Sequence, residues 1–261
     1  MSKASTRSIT TSSASGSFDL LSRKAPRHNL GVPHITRFAP TSTSQDGLAI
    51  PPSREALPSP PRAVFLDRDG TLIDFHRDAE LGAVVSAFHP NQLRLLPGVV
   101  EGLRLLHEAG YRLAIATNQP GPAKGQVSQQ AIDRTNQALV ALLEGQGIPI
   151  VAVAACYHHP EGGEGGDPML ARKCECRKPA PGLLLALARE LLVDIGNCWM
   201  IGDTASDIEA ATRAGCRSAL LIDSTRCELC PVRDAIATKP ISPNISAPRL
   251  DVLSRLITQA G

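Results

Sequence analysis

Acidic side chains recur where apolar segments of this 261-residue chain end. Asp67 and Asp69 follow the apolar run 63–66, and Asp203 follows a second run at 198–201. The carboxyl ends of parallel strands meet at one edge of a sheet, where clustered carboxylates repel each other unless a cation holds them. Carboxylate oxygens with no thiolate or imidazole nearby favour a hard ion. We therefore expect Asp67, Asp69 and Asp203 to bind Mg²⁺.

The polar residues that follow other apolar runs indicate chemistry at a phosphoryl group. Thr117, Asn118 and Gln119 end one such run, and Lys178 precedes a proline at the entrance to a helix. A hydroxyl, an amide and an ammonium group can hold phosphoryl oxygens. In an Asp-x-Asp pair both side chains can face one pocket, so one carboxylate can attack phosphorus while the other protonates the leaving oxygen. A single aspartate could equally be a turn or capping residue, so the prediction depends on the whole set.

Four sulfur and nitrogen ligands form a second candidate metal site. Cys156 and His158 make one chelating pair, and Cys174 and Cys176 make another across the loop 159–173. Three thiolates and an imidazole predict a closed tetrahedral Zn²⁺ site with a structural role. The alternative, free cysteines in the core, is disfavoured because the segment is polar.

Composition excludes several classes of protein. The chain is 43% hydrophobic and 20% charged, which allows an ordinary buried core. No apolar run approaches the roughly 20 residues of a membrane-spanning helix, and only 3% of residues are aromatic, which leaves little for stacking on nucleic-acid bases. Seven unevenly spaced cysteines favour reduced thiols in a cytoplasmic protein over a secreted disulfide scaffold.

The first 61 residues differ in composition from the rest of the chain. Of these, 26 are Ser, Thr or Pro, and seven basic residues outnumber three acidic ones. Such a segment buries too little apolar area to offset the entropy of ordering it, so residues 1–61 are predicted to be a disordered tail. A transit peptide has a similar composition, although a solvated tail is the preferred interpretation. The folded domain is expected over 62–261, and it is slightly acidic.

From residue 62 onward, predicted strands alternate with predicted helices. This alternation predicts an α/β fold in three layers, with a Rossmann-like parallel sheet covered by helices on both faces. The predicted strands are 63–66, 113–116, 150–155, 198–201 and 218–222, the predicted helices are 97–109, 127–146, 181–192 and 205–214, and an edge strand and final helix are expected within 245–257.

The order and spacing of these motifs resemble those of the haloacid dehalogenase-like phosphatases over roughly residues 62–222. The sequence 64–71 (VFLDRDGT) resembles their first motif, and Thr117-Asn118-Gln119 their second. Lys178 resembles the third motif, and Gly202-Asp203 with Asp207 the fourth.

This resemblance implies a role for each motif residue. Asp67 would be the nucleophile that forms an aspartyl-phosphate, and Asp69 the general acid and then the base. Asp67, Asp203 and the Asp69 carbonyl would bind Mg²⁺, while Thr117 and Lys178 would stabilise the phosphoryl group. Asp207 would position Lys178 or the water around the metal.

The cysteine and histidine pattern narrows the resemblance to the zinc-containing histidinol-phosphate and D-glycero-D-manno-heptose 1,7-bisphosphate phosphatases. These are compact enzymes without a large cap domain, whose zinc-stabilised loop borders the substrate pocket. Arg177, Asn118 and Gln119 are then expected to contact substrate. The chain has Pro120 and Thr204 where the heptose enzymes typically have Ser and Lys.

The preferred interpretation is hydrolysis of the 7-phosphate of a heptose bisphosphate by a monomer that binds neither nucleic acid nor membrane. Histidinol phosphate is an alternative substrate. A polynucleotide 3′-phosphatase and a zinc-stabilised nucleic-acid-binding module are weaker alternatives, because the folded part has no basic excess. The pair Cys227 and Cys230 is interpreted as incidental, and Lys124 either reaches a phosphate or is solvated.

Overall fold

The fold is known from a computed structural model that describes residues 33–38, 61–80, 82–222 and 242–260. Single turns of 3-10 helix lie at Pro90–Gln92 and Ile195–Asn197. The strands are β1 His34–Arg37, β2 Arg62–Leu66, β3 His76–Asp78, β4 Ala83–Val85, β5 Tyr111–Asn118, β6 Ile150–Cys156, β7 Trp199–Gly202, β8 Arg217–Leu221 and β9 Ile245–Ala247, and the helices are α1 Val99–Glu108, α2 Gln129–Glu144, α3 Gly182–Glu190, α4 Ala205–Ala214 and α5 Leu250–Gln259.

Seven of these strands form one sheet in the order β1-β6-β5-β2-β7-β8-β9. Every pair in it is parallel except β1 with β6. Alternate residues of β2 point to opposite faces: Val64 and Leu66 pack with α1, α2 and α5, whereas Ala63 and Phe65 pack with α3 and α4. The predicted three-layer α/β sheet is therefore confirmed, and its five central parallel strands are the predicted ones.

The structure differs from the prediction at residues 33–38, which lie within the predicted disordered tail. His34–Arg37 forms β1, which pairs antiparallel with β6 along one edge of the sheet. Ile35 packs against one core and Phe38 against the other. A four-residue strand with one apolar side chain, Ile35, has no readable periodicity, but the edge of β6 supplies hydrogen-bond partners for its backbone. The other residues of the tail up to 60 lie outside the described part of the chain, as do Cys227 and Cys230.

A short hairpin, β3–β4, follows the first motif and was absent from the predicted elements. It pairs His76 with Val85 and belongs to a separate two-stranded sheet. Three-residue strands are too short to carry an alternating pattern. Within the described ranges, no helix is both long and apolar enough to cross a membrane.

Candidate active site

The motif residues come together at the carboxyl ends of three adjacent strands. Asp67 directly follows β2, Thr117 is the second-last residue of β5, and Asp203 directly follows β7. The amide of Asp67 donates to the carbonyl of Ile201 at 2.9 Å, which continues the β2–β7 pairing to the start of the site. Because β2 lies between β5 and β7, the sheet order itself brings these motifs together.

Lys178 reaches this cluster from the loop before α3. Its Nζ lies 2.7 Å from Asp67 Oδ1 and 2.6 Å from Asp207 Oδ1, and it donates to the carbonyl of Ala116 at 2.7 Å. Burial alone would lower the pKa of Lys178, but the carboxylates of Asp207 and Asp67 raise it above the ordinary value. Lys178 therefore stays cationic beside the predicted nucleophile, and Asp207 positions it.

Glycines allow the chain to approach these carboxylates closely. Gly70 has φ +84°, and a Cβ there would overlap the carboxylate of Asp203. A Cβ on Gly202 would overlap Asp207 in the same way. Thr71 Oγ1 donates to Asp203 Oδ1 at 3.2 Å, which fixes the orientation of that carboxylate.

The carboxylates of Asp67, Asp203 and Asp207 have oxygens within 4.8 Å of one another. Burial, together with the charge of Asp207, raises the pKa of Asp67 to about 7 despite the neighbouring Lys178. Burial and the charge of Asp67 also raise the pKa of Asp203 well above its ordinary value. Three buried carboxylates against one ammonium group leave an excess of negative charge, so the donor set fits a divalent cation with oxygen ligands.

Asp69 is not the third carboxylate of that cluster. Its Oδ1 and Oδ2 accept from Nη2 and Nε of Arg68, each at 3.0 Å, and Oδ2 also accepts from Gln119 Nε2 at 2.6 Å. The expectation that the side chains of Asp67, Asp69 and Asp203 converge is corrected, since Asp207 takes the third position. The meeting of strand carboxyl ends at one edge of a parallel sheet predicts where the Cα atoms lie, but not which way a side chain points.

Asn118 and Gln119 of the second motif form hydrogen bonds with other residues of the protein. Asn118 Nδ2 donates to the carbonyl of Lys178, and its Oδ1 accepts from the Lys178 amide, both at 3.0 Å. Gln119 is fully buried, and its Nε2 donates to Asp69 and to Thr117 Oγ1, the latter at 2.9 Å. Both amides were predicted to contact substrate, which stays a prediction; in this structure they hydrogen-bond to Lys178, Asp69 and Thr117.

The four predicted zinc ligands converge in a second cluster. Cys156 Sγ lies 3.7 Å from Cys174 Sγ and 3.3 Å from Cys176 Sγ, and His158 Nδ1 lies 3.3 Å from Cys176 Sγ. A zinc ion with sulfur ligands at roughly 2.3 Å would space tetrahedral sulfurs about 3.8 Å apart. The observed spacing is slightly shorter, so a small expansion of the cluster accommodates such an ion.

Hydrogen bonds between the thiols shift their pKa values in opposite directions. Hydrogen bonds from Cys174 and Cys176, with burial, raise the pKa of Cys156. Hydrogen bonds from Cys156 and Cys176 lower the pKa of Cys174. A bound dication would stabilise all three sulfurs as thiolates.

The two clusters are joined through the backbone. The amide of Gln119 donates to the carbonyl of Cys156 at 2.7 Å, and Lys178 follows Cys176 by two residues. Arg177 lies between these two residues, and its Nη1 is 3.4 Å from the carbonyl of His158. Arg177 thus lies against the cysteine loop, at its border with the carboxylate cluster.

Sequence reasoning gave no role to Arg68, Asn136 or Gly70. Arg68 stands between the two motif aspartates, and its guanidinium is fully buried with Asn136 as a further partner. A charged residue inside an otherwise apolar and acidic motif was the available signal. Asn136, in the middle of α2, offered none.

Comparison with known proteins identifies the family. The D-glycero-beta-D-manno-heptose-1,7-bisphosphate 7-phosphatase of Rhodopseudomonas palustris is 39% identical over 153 residues, which cover 59% of this chain and 79% of the relative. The enzyme of the same name from Photorhabdus laumondii is 34% identical, over 61% and 79% of the two chains. This chain belongs to the haloacid dehalogenase-like phosphatases, in the family of the heptose bisphosphate phosphatases.

A family model and solved structures agree with this assignment. The model described as HAD-hydrolase-like matches residues 175–240. A crystal structure of D,D-heptose 1,7-bisphosphate phosphatase from B. bronchiseptica, complexed with magnesium and phosphate, has a TM-score of 0.60 at 25% identity and covers 77% of this chain and 99% of that one. A HAD-like phosphatase from Mesorhizobium loti has a TM-score of 0.62 at 25% identity, covering 90% and 97%. The protein is a phosphatase of this family.

Proposed function

We propose that this phosphatase hydrolyses the 7-phosphate of D-glycero-D-manno-heptose 1,7-bisphosphate, with an aspartyl-phosphate on Asp67 as the intermediate. The observation that carries the proposal is the contact between Lys178 Nζ and Asp67 Oδ1 at 2.7 Å, with a carboxylate oxygen of Asp203 within 4.8 Å of one of Asp67. A lysine at this place neutralises an attacking carboxylate and the phosphoryl oxygens that approach it. The relatives named for this activity support the choice of substrate.

In the proposed reaction a carboxylate oxygen of Asp67 attacks phosphorus, and the bond from phosphorus to the sugar oxygen breaks. Asp69 gives its proton to that oxygen, so the sugar leaves as an alcohol. Asp69 then takes a proton from the water that attacks the aspartyl-phosphate, which releases phosphate, restores the carboxylate of Asp67 and leaves Asp69 protonated for the next cycle. Lys178 and the hydroxyl of Thr117 hold the phosphoryl oxygens throughout.

Mg²⁺ fits the carboxylates of Asp67 and Asp203 with the carbonyl of Asp69, and when bound it supplies positive charge to the phosphoryl oxygens. Zn²⁺ fits Cys156, His158, Cys174 and Cys176, where four protein ligands leave no open position and imply a structural role. Reduced thiols at the second site are consistent with a cytoplasmic protein.

A second phosphate on the substrate would find cations beside the cysteine loop. Arg177 contacts the carbonyl of His158, and the backbone of Lys124 lies against Gly163 of the loop. A guanidinium can grip a phosphate through two parallel hydrogen bonds. We propose that Arg177 recognises the substrate by binding its second phosphate, and that Lys124 provides a further positive charge there.

The test compares phosphate release from heptose 1,7-bisphosphate and from histidinol phosphate at equal concentrations with Mg²⁺. We expect faster turnover of the heptose by the wild type and none by Asp67→Asn. A preference for histidinol phosphate would keep the mechanism and overturn the proposed substrate. Release from neither by folded, zinc-loaded protein would overturn both.

Arg177 has its own comparison within that assay. Arg177→Met is expected to raise KM for the bisphosphate by about tenfold or more, since a bidentate phosphate contact contributes roughly 1.5–3 kcal/mol. Lys173→Met, which removes a cation from the same loop four residues earlier, is the matched control. Equal effects of the two variants would contradict the role of Arg177.

A further inference from the structure

The guanidinium of Arg68 is completely buried next to the predicted general acid. Its Nε and Nη2 donate to the two oxygens of Asp69, and its Nη1 donates to Asn136 Oδ1 at 2.8 Å. Nη2 also lies 3.0 Å from the carbonyl of Ala87 and from Gln119 Oε1. A buried charge is costly unless its donors are satisfied. Here the donors of Arg68 connect Asp69 to Asn136 in α2 and to Ala87, which follows the β3–β4 hairpin.

The hydrogen bonds of Asp69 distinguish its two carboxyl oxygens. Oδ2 accepts from Arg68 Nε and from Gln119 Nε2, which fills both of its lone-pair positions. Within the described part of the chain, Oδ1 accepts a hydrogen bond only from Arg68 Nη2. One lone-pair position of Oδ1 therefore remains for a proton.

We propose that Arg68 is a positioning residue that orients Asp69 so that Oδ1 exchanges the proton with the leaving group and then with water. This inference rests on the proposed function, in which Asp69 is the acid and the base. During cleavage of the bond from phosphorus to the sugar oxygen, the proton on Oδ1 passes to that oxygen. During hydrolysis of the aspartyl-phosphate, Oδ1 takes a proton from the attacking water, so the proton count balances over the cycle.

The orientation is fixed from three directions. Asn136 anchors Nη1 to α2, the carbonyl of Ala87 anchors Nη2 to the segment after the β3–β4 hairpin, and Gln119 joins Asp69 to Thr117. A general acid must hold its proton within hydrogen-bond reach of the leaving oxygen, and small displacements are costly in rate. A lysine at position 68 would keep the charge but could not make the paired contact with Asp69.

The experiment separates positioning of the acid from a purely structural role by changing the leaving group. We would measure the single-turnover rate of phosphoenzyme formation with Mg²⁺, using heptose 1,7-bisphosphate and p-nitrophenyl phosphate. The nitrophenolate leaves without a proton, whereas the sugar oxygen needs one. Arg68→Lys is expected to lower the rate on the sugar phosphate by about 10²-fold and the rate on the aryl phosphate by only a few-fold.

Two further variants make the test decisive. Asn136→Ala leaves the contact between Arg68 and Asp69 in place and removes one anchor, so it is expected to show a smaller shift in the same ratio. It carries the test if Arg68→Lys does not fold. Arg62→Lys, at the opposite end of β2, is the matched control and should leave the ratio of the two rates unchanged.

Each outcome bears on a different claim. Equal losses on both substrates in the Arg68 and Asn136 variants would overturn the positioning role. An Asp69→Asn variant with an unchanged ratio would show that Asp69 is not the acid. A wild-type protein that forms no phosphoenzyme from either substrate would overturn the proposed function itself.

Discussion

The carboxylate cluster and the cysteine cluster are neighbours, but the chain builds them in different ways. Asp67, Thr117 and Asp203 lie at the ends of hydrogen-bonded parallel strands, so the sheet positions them. Cys174 and Cys176 lie in a loop between β6 and α3, which packs on residues 121–125 through glycines and a backbone hydrogen bond from Asp167 to Pro122. The first cluster is positioned by the fold, whereas we expect the second to need a bound ion to hold its loop.

The largest expected effect is on activity at the carboxylate cluster. Asp67→Asn removes the nucleophile and is expected to lower kcat by about 10⁴-fold or more. The same change removes one of three crowded buried carboxylates, while Lys178 keeps its contact with Asp207. The melting temperature of the zinc-loaded protein without Mg²⁺ should therefore stay the same or rise.

Glu209→Gln, on the exposed face of α4, is the control for the loss of a negative charge. It should leave both kcat and the melting temperature near the wild-type values. An Asp67→Asn protein that unfolds at a clearly lower temperature would show that the carboxylate stabilises the fold. That result would contradict the distinction between the two clusters.

The second prediction concerns stability at the cysteine cluster. Cys176→Ser is expected to abolish stoichiometric zinc binding and to lower the free energy of unfolding by more than about 3 kcal/mol, because the ion stabilises the loop. Zinc content by elemental analysis and thermal melts would measure the effect. Cys216→Ala is the control: it is a buried thiol whose pKa burial raises to about 12, and it lies outside the cluster.

The same contrast explains what could be predicted from the sequence. Asp67 and Asp203 could be predicted because apolar runs mark the strands, and the carboxyl ends of parallel strands meet at one edge of the sheet. The cysteine cluster was found because its ligands are chemically specific and close in sequence. The direction of each side chain was not predictable, which is why the carboxylate cluster contains Asp207 where Asp69 was expected.

Other features depended on partners far away in the sequence. Asn118 and Gln119 were expected to contact substrate because they share a motif with Thr117. Their partners, Lys178 and Asp69, are 60 and 50 residues away. The strand β1 likewise depends on the edge of β6, more than 100 residues later. Local pattern carries no information about such contacts.

A third prediction concerns the link between the clusters. Asn118 forms two hydrogen bonds with the backbone of Lys178, which lies two residues after the cluster ligand Cys176. Asn118→Ala is expected to lower kcat by about 10–100-fold through misplacement of the Lys178 ammonium group. Zinc content should not change. Asn197→Ala, at an exposed turn before β7, is the control. Loss of zinc from Asn118→Ala would show that the link also supports the loop.

The smallest expected effect is a pH dependence of stability that belongs to the carboxylate cluster alone. Burial raises the pKa of Asp67 from an ordinary value of 3.8 to about 7. Between these pH values the metal-free folded protein binds more protons than the unfolded chain, so its stability falls as the pH rises. Mg²⁺ competes with the proton for Asp67, so the stabilisation by added Mg²⁺ should grow over the same interval.

Thermal melts of zinc-loaded protein between pH 4.5 and 7.5, without Mg²⁺ and with added Mg²⁺, would measure this dependence. Asp67→Asn should make the curve without Mg²⁺ shallower, because the variant has no proton to lose at this position. A Mg²⁺ effect that is constant with pH, or equal in the wild type and Asp67→Asn, would show that Asp67 is not where proton and ion compete. A clearly shallower curve for the variant than for the wild type would locate the charge repulsion at Asp67, the proposed nucleophile, where a bound cation would relieve it.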